Sequence, residues 1–235
     1  MHHTKISDIP VNCFETMDEA VQYIAKYGQG KIAVAINPEK ILASLNSENV
    51  REVLLDADIR YLDGIGAVKI AESKLRKKLK RIPGCELWEA LMVDAGSRAR
   101  SVYLLGADYE VVNKTKIKLE KDYGVNVVGF SDGYFKNDDE IIKEILLHKP
   151  DILTVAMGSP RQELFMSKCR SAGLCSFMMG VGGTYNVFVG VADRAPNFWC
   201  QLGLEWLYRL LKEPSRFTRQ AKLLKFIWLA FRKKL

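Results

Sequence analysis

Short apolar runs recur along the chain, each closed by a glycine, asparagine or aspartate and followed by a longer stretch with apolar positions at helical spacing. Lys31 to Ile36, Ile59 to Leu62, Val102 to Leu105, Val125 to Gly129, Ile152 to Met157 and Ser176 to Met179 read as strands. The intervening pattern predicts helices from Thr16 to Tyr27, after Asn37, from Glu48 to Ala57 and from about Ile65. More follow from Gly84 to Ser97, from after Gly106 to Tyr123, from Asp138 to His148, from Arg161 and from Gln201 to Lys212. Six strands alternating with helices predict an α/β, Rossmann-like fold: a mainly parallel sheet with helices on both faces. Local signals agree, with Thr16 and Glu19 spaced as a capping box, Asn37 and Ser47 at cap positions, Pro38 at a first helical position and Ser159 placed to cap the helix that Pro160 opens.

Asn37, Asp63, Gly106, the Asp132-Gly133-Tyr134 loop, Gly158-Ser159 and the Gly180–Gly183 cluster all fall just after strands. In a parallel sheet such loops share the carboxyl edge and converge on one pocket. The helix start at Pro160 would offer N–H groups to an anion such as phosphate, although a merely structural turn gives the same local pattern. Gly182 and Gly183 would let backbone approach a ligand closely, and Thr184 would donate to a phosphate. The dinucleotide fingerprint G-x-G-x-x-G is absent, which weakens a dehydrogenase reading. A carboxylate at Asp63 would stand at the mouth of the pocket, where a general base is useful; an Asx-turn closing the strand explains the same Asp-Gly pair.

Charge separates the tail from the rest. Of the formal net charge of +7, residues from Arg209 onward carry nine Lys/Arg against Glu213, while the preceding residues are close to neutral. The chain is expected to divide into an α/β domain, 1–200, and a C-terminal helical, membrane-associating appendage, 201–235, that holds this basic segment. In the appendage the apolar run from Leu223 to Phe231, with Trp228 and a closing Arg232-Lys233-Lys234, suits an interfacial helix; a helix docked on the core or on a second copy has the same pattern. No run approaches the roughly 20 apolar residues of a spanning helix, and the N-terminus lacks a signal-peptide core. Five cysteines without a C-x-x-C pair fit a reducing, cytoplasmic compartment. Nucleic acid is not expected as a partner, since it would not reward burying the tail's aromatic residues together.

No metal site is expected. The acidic pair Asp56 and Asp58 precedes a strand, at the opposite edge of the sheet, and the three histidines stand apart from other candidate ligands. A leaving diphosphate would then need arginines and backbone amides, with Arg81 a candidate.

Asn37-Pro38-Glu39-Lys40, Asp63-Gly64, Met157-Gly158-Ser159-Pro160-Arg161-Gln162-Glu163, Gly180-Val181-Gly182-Gly183-Thr184-Tyr185 and Gly203-Leu204-Glu205-Trp206-Leu207-Tyr208-Arg209 occur in that order. Together they resemble the bacterial WecG/TagA/CpsF glycosyltransferase family over about residues 10 to 225. Within it the similarity is greatest to the branch that moves N-acetyl-D-mannosaminuronic acid (ManNAcA) in enterobacterial common antigen synthesis. A sibling branch moves N-acetylmannosamine (ManNAc) in teichoic acid assembly.

The resemblance implies an inverting, metal-independent hexosyltransferase without a cofactor. It would act from a UDP-sugar donor on the 4-hydroxyl of N-acetylglucosamine (GlcNAc) on undecaprenyl diphosphate, at the cytoplasmic face of the inner membrane. It implies Asp63 as the base, Asn37, Arg81 and Gln162 as pocket residues, and Arg209, Arg216 and Arg219 as arginines brought over the site by the appendage. Gly106, Tyr134, Gly158, Ser159, Gly182, Gly183 and Thr184 complete the expected substrate site. Ala35 departs from the teichoic acid branch, which has threonine there. A homo-oligomer and a non-enzymatic nucleotide- or RNA-binding module stay open as alternatives.

Overall fold

The computed structural model describes residues 1–193 together with Pro196, Phe198, Trp199, Tyr208, Phe226 and residues 228–232. It begins with a hairpin, β1 (His2–Ile6) and β2 (Ile9–Cys13), followed by α1 (Met17–Tyr27), β3 (Ile32–Ile36), α2 (Pro38–Asn46), α3 (Glu48–Asp56) and β4 (Ile59–Leu62). Helices α4 (Ile65–Leu75) and α5 (Gly84–Ser97) lead to β5 (Ser101–Gly106), α6 (Tyr109–Tyr123), β6 (Asn126–Ser131) and α7 (Asp138–His148). Then come β7 (Ile152–Ala156), α8 (Arg161–Ser171), β8 (Phe177–Gly180) and the short α9 (Thr184–Phe188).

Among the described residues these eight strands form one sheet in the order β1-β2-β4-β3-β8-β7-β5-β6, parallel throughout except for β1 on β2. The expected parallel α/β sheet is therefore present, with its six strands in place. The N-terminal hairpin adds two strands that the sequence pattern does not predict. β1 is an edge strand with mostly exposed or half-buried positions, and its two-residue turn uses Ser7 and Asp8 at φ 48° and 63° without a glycine to mark it.

Apolar residues cover both faces of the sheet. Ile41, Leu54, Val68, Ile145 and Phe165 bring α2, α3, α4, α7 and α8 onto one face. Ile24, Trp88, Leu91, Val112 and Tyr185 bring α1, α5, α6 and α9 onto the other. β3, β4, β5, β7 and β8 are buried from both sides, which is why they read as unbroken apolar runs.

Side-chain caps fix most helix starts. Thr16 accepts from the Glu19 N–H at 3.0 Å, Asn37 from Lys40 at 2.9 Å and Asp108 from Val111 at 2.9 Å. Glu19 reaches back to the Glu15 N–H, one residue before the cap, so the capping box is displaced by a residue. Ser159 does not cap α8. The helix starts at Arg161 after Pro160, and the Gly158 carbonyl takes the Gln162 N–H at 2.9 Å, doing the work expected of the serine.

The helix expected from Gln201 to Lys212 and the boundary at residue 200 lie outside the described residues. Nearer the C-terminus, Phe226 is buried in the core shared with α2 and α4, with Leu229 and Ala230 packed against it. A Cβ on Gly66 would lie 3.0 Å from the Phe226 ring and 3.2 Å from Pro38, so the first turn of α4 is cut back to admit that ring. Trp228 and Phe231 face outward, and Arg232 stacks on Trp228 at 4.1 Å. The run is thus divided: Phe226 belongs to the domain core and does not join Trp228 and Phe231 on an outer face.

Candidate active site

The chain leaves β5 toward β6 and leaves β7 toward β8, in opposite directions, which opens a crevice between the carboxyl ends of β5 and β7. Gly106 stands there at φ +109°, and a Cβ would fall 2.5 Å from the Ala156 carbonyl, so only glycine lets the two strand ends run this close. The Ala107 carbonyl accepts from the Gly133 N–H at 2.8 Å, which brings in the loop after β6. Gly158 borders the crevice with open space where a side chain would be. Ser159 is exposed, and Tyr134 projects outward at 77% exposure while Asp132 accepts from its N–H at 2.8 Å.

A second group forms where β3 and β4 end. The Asp63 N–H donates to the Ile36 carbonyl at 3.0 Å, setting Asp63 beside Asn37. Gly64 presses on the pair, its Cβ position 2.5 Å from Pro38 and 3.2 Å from the Asn37 Cβ. Because Asn37 Oδ1 is committed to the cap of α2, its NH2 group is what it offers a ligand. The Ile82 N–H donates to the Leu62 carbonyl at 2.8 Å, so the segment carrying Arg81 runs alongside the end of β4. α5 then begins over Asp63: the Cβ position of Gly84 is 3.6 Å from Asp63 Oδ2. Its first turn has Pro83 at the cap and no side-chain cap bond, which sets the positive end of this 14-residue helix beside the carboxyl group.

Between the two groups lies the loop after β8. Gly182 and Gly183 have open space where side chains would project. The Thr184 hydroxyl, on a residue 7% exposed, donates to the Val181 carbonyl at 2.6 Å, within its own turn. Thr184 lines a cleft with Cys85, Trp88, Glu89, Val187 and Phe188, which connects this loop to the start of α5.

Gln162 is 3% exposed, and its amide is used at both ends: Oε1 accepts from the Gly182 N–H at 3.0 Å and Nε2 donates to Glu163 Oε1 at 3.1 Å. It fastens the glycine loop from below. Glu163, 2% exposed, pairs with Lys40 at 2.7 Å across the end of β3, a buried ion pair absent from the expectations. Tyr61 was missed as well. It is wholly buried on β4, two residues before Asp63, and its hydroxyl has no hydrogen-bond partner among the described residues. Burial first, then the charges of Asp63, Cys85 and Glu163, push its pKa well above the ordinary value.

Asp56 and Asp58 lie at the opposite edge, where both pair with Arg170 and Asp58 also accepts from the Ile32 N–H at 2.9 Å. Among the described residues no three His, Cys, Asp or Glu side chains come together as a metal-binding group. No described helix is long and apolar enough to cross a membrane. Arg209, Arg216 and Arg219 lie outside the described residues.

From Asp63 at the end of β4 to Gly106 at the end of β5 is four strand spacings, about 19 Å. That is the scale of an extended nucleoside diphosphate sugar, with a crevice at one end and a carboxylate at the other. The chain matches the model of the glycosyl transferase WecG/TagA/CpsF family over residues 4–235, and it belongs to that family.

Proposed function

We propose that this member of a glycosyltransferase family moves ManNAcA from UDP-ManNAcA to the 4-hydroxyl of GlcNAc on undecaprenyl diphosphate, which is the step from lipid I to lipid II of enterobacterial common antigen. The observation that carries the reading is the Asp63 carboxylate, held at the carboxyl edge against the open start of α5 and in line with the glycine loops. In this reading the nucleotide lies in the crevice at Gly106 and Gly158, and the diphosphate passes Gly182 and Gly183 toward Arg81. The sugar carbon bonded to phosphate faces Asp63.

Asp63 takes the proton of the acceptor 4-hydroxyl as that oxygen bonds to C1 of the sugar. The C1–oxygen bond to UDP breaks on the opposite side, so the configuration inverts and UDP leaves with the electron pair. Backbone amides and arginines meet the charge on the departing diphosphate without a metal ion. Ala35, the register partner of Tyr61, is smaller than the threonine of the teichoic acid branch, which is compatible with a donor unlike that branch's.

The test is UDP release by full-length protein with lipid-linked GlcNAc, comparing UDP-ManNAcA with UDP-ManNAc. UDP-ManNAcA should be preferred, EDTA should leave the rate unchanged, and Asp63→Asn should lower turnover by about two to four orders of magnitude while UDP still binds. Preference for UDP-ManNAc would move the chain to the other branch. Wild-type turnover by Asp63→Asn, or Mg²⁺-dependent recovery after EDTA, would overturn the mechanism.

A further inference from the structure

We propose that the loop between α4 and α5 is a docking surface for anionic lipid: Arg76, Lys78 and Lys80 meet phosphate headgroups and set the Asp63 end of the sheet's carboxyl edge toward the bilayer. The surface stands whichever sugar is transferred. Only its effect on turnover rests on the reading that the acceptor is lipid-linked.

Residues 74–81 carry six Lys/Arg and no acid, and the backbone holds them in place. Arg76 closes α4 in the left-handed conformation at φ 51°, the Glu72 carboxylate accepts from the Leu79 N–H at 3.0 Å, and the Lys80 N–H donates to the Phe14 carbonyl at 3.4 Å. Leu75 and Leu79 pack against the core, which leaves Arg76, Lys78 and Lys80 exposed around them. Lys77 pairs with Glu15, and Lys74 donates to the Lys5 carbonyl at 2.9 Å. Arg76, Lys78 and Lys80 pair with no carboxylate among the described residues. Glu72, which acts on Lys78 through space, is engaged by Lys69 at 2.7 Å and by the Leu79 N–H. Successive members of the trio are two residues apart, at most about 7 Å along the backbone, within the screening length at physiological salt. They therefore act on a charged surface together.

The place of the loop points to a bilayer. β2 pairs with β4 at Asn12 and Tyr61, which puts Phe14 level with Asp63. Because Lys80 is tied to Phe14 and Ile82 to Leu62, the basic run reaches the same edge as Asp63, on its β2 side. The first turn of α4 starts at that edge too, and there Phe226 anchors the segment whose Trp228 and Phe231 face outward beside Arg232. Cations near exposed apolar rings match a membrane surface, whose headgroups take the charge and whose interface takes the rings. Nucleic acid would engage the charge and offer Phe231 no apolar layer.

The experiment compares three full-length proteins. One is wild type, and one carries Arg76→Asn, Lys78→Gln and Lys80→Gln, asparagine suiting the left-handed position. The third carries Lys114→Gln, Lys121→Gln and Lys143→Gln, which removes equal charge from exposed lysines of α6 and α7 at the β6 end of the sheet. Co-sedimentation with vesicles of equal parts phosphatidylcholine and phosphatidylglycerol is measured over a salt series, beside titration of a single-stranded oligonucleotide, Tm, and turnover on short-chain soluble and long-chain vesicle-borne acceptors. The loop variant should lose vesicle affinity by about fivefold per charge, on the order of a hundredfold in all, with a shallower salt dependence. The α6–α7 variant should lose far less. Tm and short-chain turnover of the loop variant should match wild type, while long-chain turnover falls with binding. Equal losses in the two variants would overturn the surface in favour of net charge. Unchanged vesicle affinity in the loop variant would overturn it as well, and a simultaneous loss of oligonucleotide binding would assign the loop to nucleic acid. If no lipid-linked acceptor is turned over at all, the proposed reaction fails, and vesicle affinity alone still decides the surface.

Discussion

Gln162 and Gly182 are joined by a hydrogen bond of 3.0 Å from the Gly182 N–H to the buried Gln162 Oε1, so the glycine loop after β8 is held by the first turn of α8. A Cβ on Gly180 would sit 2.5 Å from Gln162 Nε2, and that amide is pinned between Gly182 and Glu163 and cannot swing aside. Gly180→Ala should therefore destabilise the fold by about 1–3 kcal/mol. Gln162→Ala should cost a similar amount by leaving Gly182 unfastened, and should raise KM for the UDP-sugar. Chemical denaturation and donor titration check both. An unchanged KM in Gln162→Ala would mean the loop keeps its shape without the amide.

Lys40 and Glu163 form a buried ion pair, with side chains 11% and 1% exposed. Removing one partner strands the other's charge, so Lys40→Met should destabilise by about 3–5 kcal/mol. The double change Lys40→Met with Glu163→Gln should recover much of the loss, because no charge is then left behind. A double-mutant cycle by urea denaturation measures the coupling, and additive losses would show that the pair contributes nothing beyond its separate contacts.

How much of this was legible in the sequence depends on which signal each residue sends. The parallel strands β3, β4, β5, β7 and β8 announce themselves because burial on both faces makes them continuous apolar runs bounded by turn residues, as in Ile152 to Ala156. The β1–β2 hairpin is silent, since its turn is Ser7-Asp8 and Pro10 and Asn12 interrupt the second strand. Asp63, Asn37 and the glycine loops could be placed at one edge from topology alone. What those side chains do there could not: Thr184 spends its hydroxyl on Val181 and Gln162 is buried, facts set by loop geometry across distant segments. Lys40 and Tyr61 look like a surface lysine and an ordinary strand tyrosine until α8 and α5 are folded over them.

Burial also sets an alkaline limit. The Cys13 and Cys169 thiols are completely buried, and desolvation pushes their pKa values from 9.0 up to about 11 and about 12. The unfolded chain releases these protons first, so the thiols' contribution to stability is constant below about pH 8 and falls as pH rises from 9 toward 11, by on the order of 2 kcal/mol for each thiol. Urea midpoints measured across that range should decline, and Cys13→Ala with Cys169→Ala should flatten the slope. At pH 8 in native protein, a thiol reagent should label exposed Cys175 and spare both buried thiols.

The last prediction concerns the C-terminal segment, whose aromatic residues have opposite surroundings. Phe226 is 1% exposed against Gly66, while Trp228 and Phe231 are 49% and 91% exposed. Phe226→Ala should loosen the segment from the start of α4 and cost about 3–5 kcal/mol of stability, since it empties a filled core position. Trp228→Ala with Phe231→Ala should leave stability alone and weaken binding to anionic vesicles, where an exposed tryptophan and phenylalanine beside Arg232 would enter the interface. Because Phe226 packs at Gly66, three residues after Asp63, a membrane-bound segment would lie close to the Asp63 end of the proposed site. Arg216 follows different physics. A guanidinium can hold two diphosphate oxygens at once where lysine offers a point charge, so Arg216→Ala should keep vesicle binding and lose turnover, and Arg216→Lys should restore only part of it. Vesicle co-sedimentation and turnover on long-chain acceptor, measured on the same preparations, separate the two roles. Full activity of Arg216→Ala would remove the arginine from the reaction, and undiminished vesicle binding by the Trp228–Phe231 double variant would show that the outer aromatic face is not what meets the bilayer.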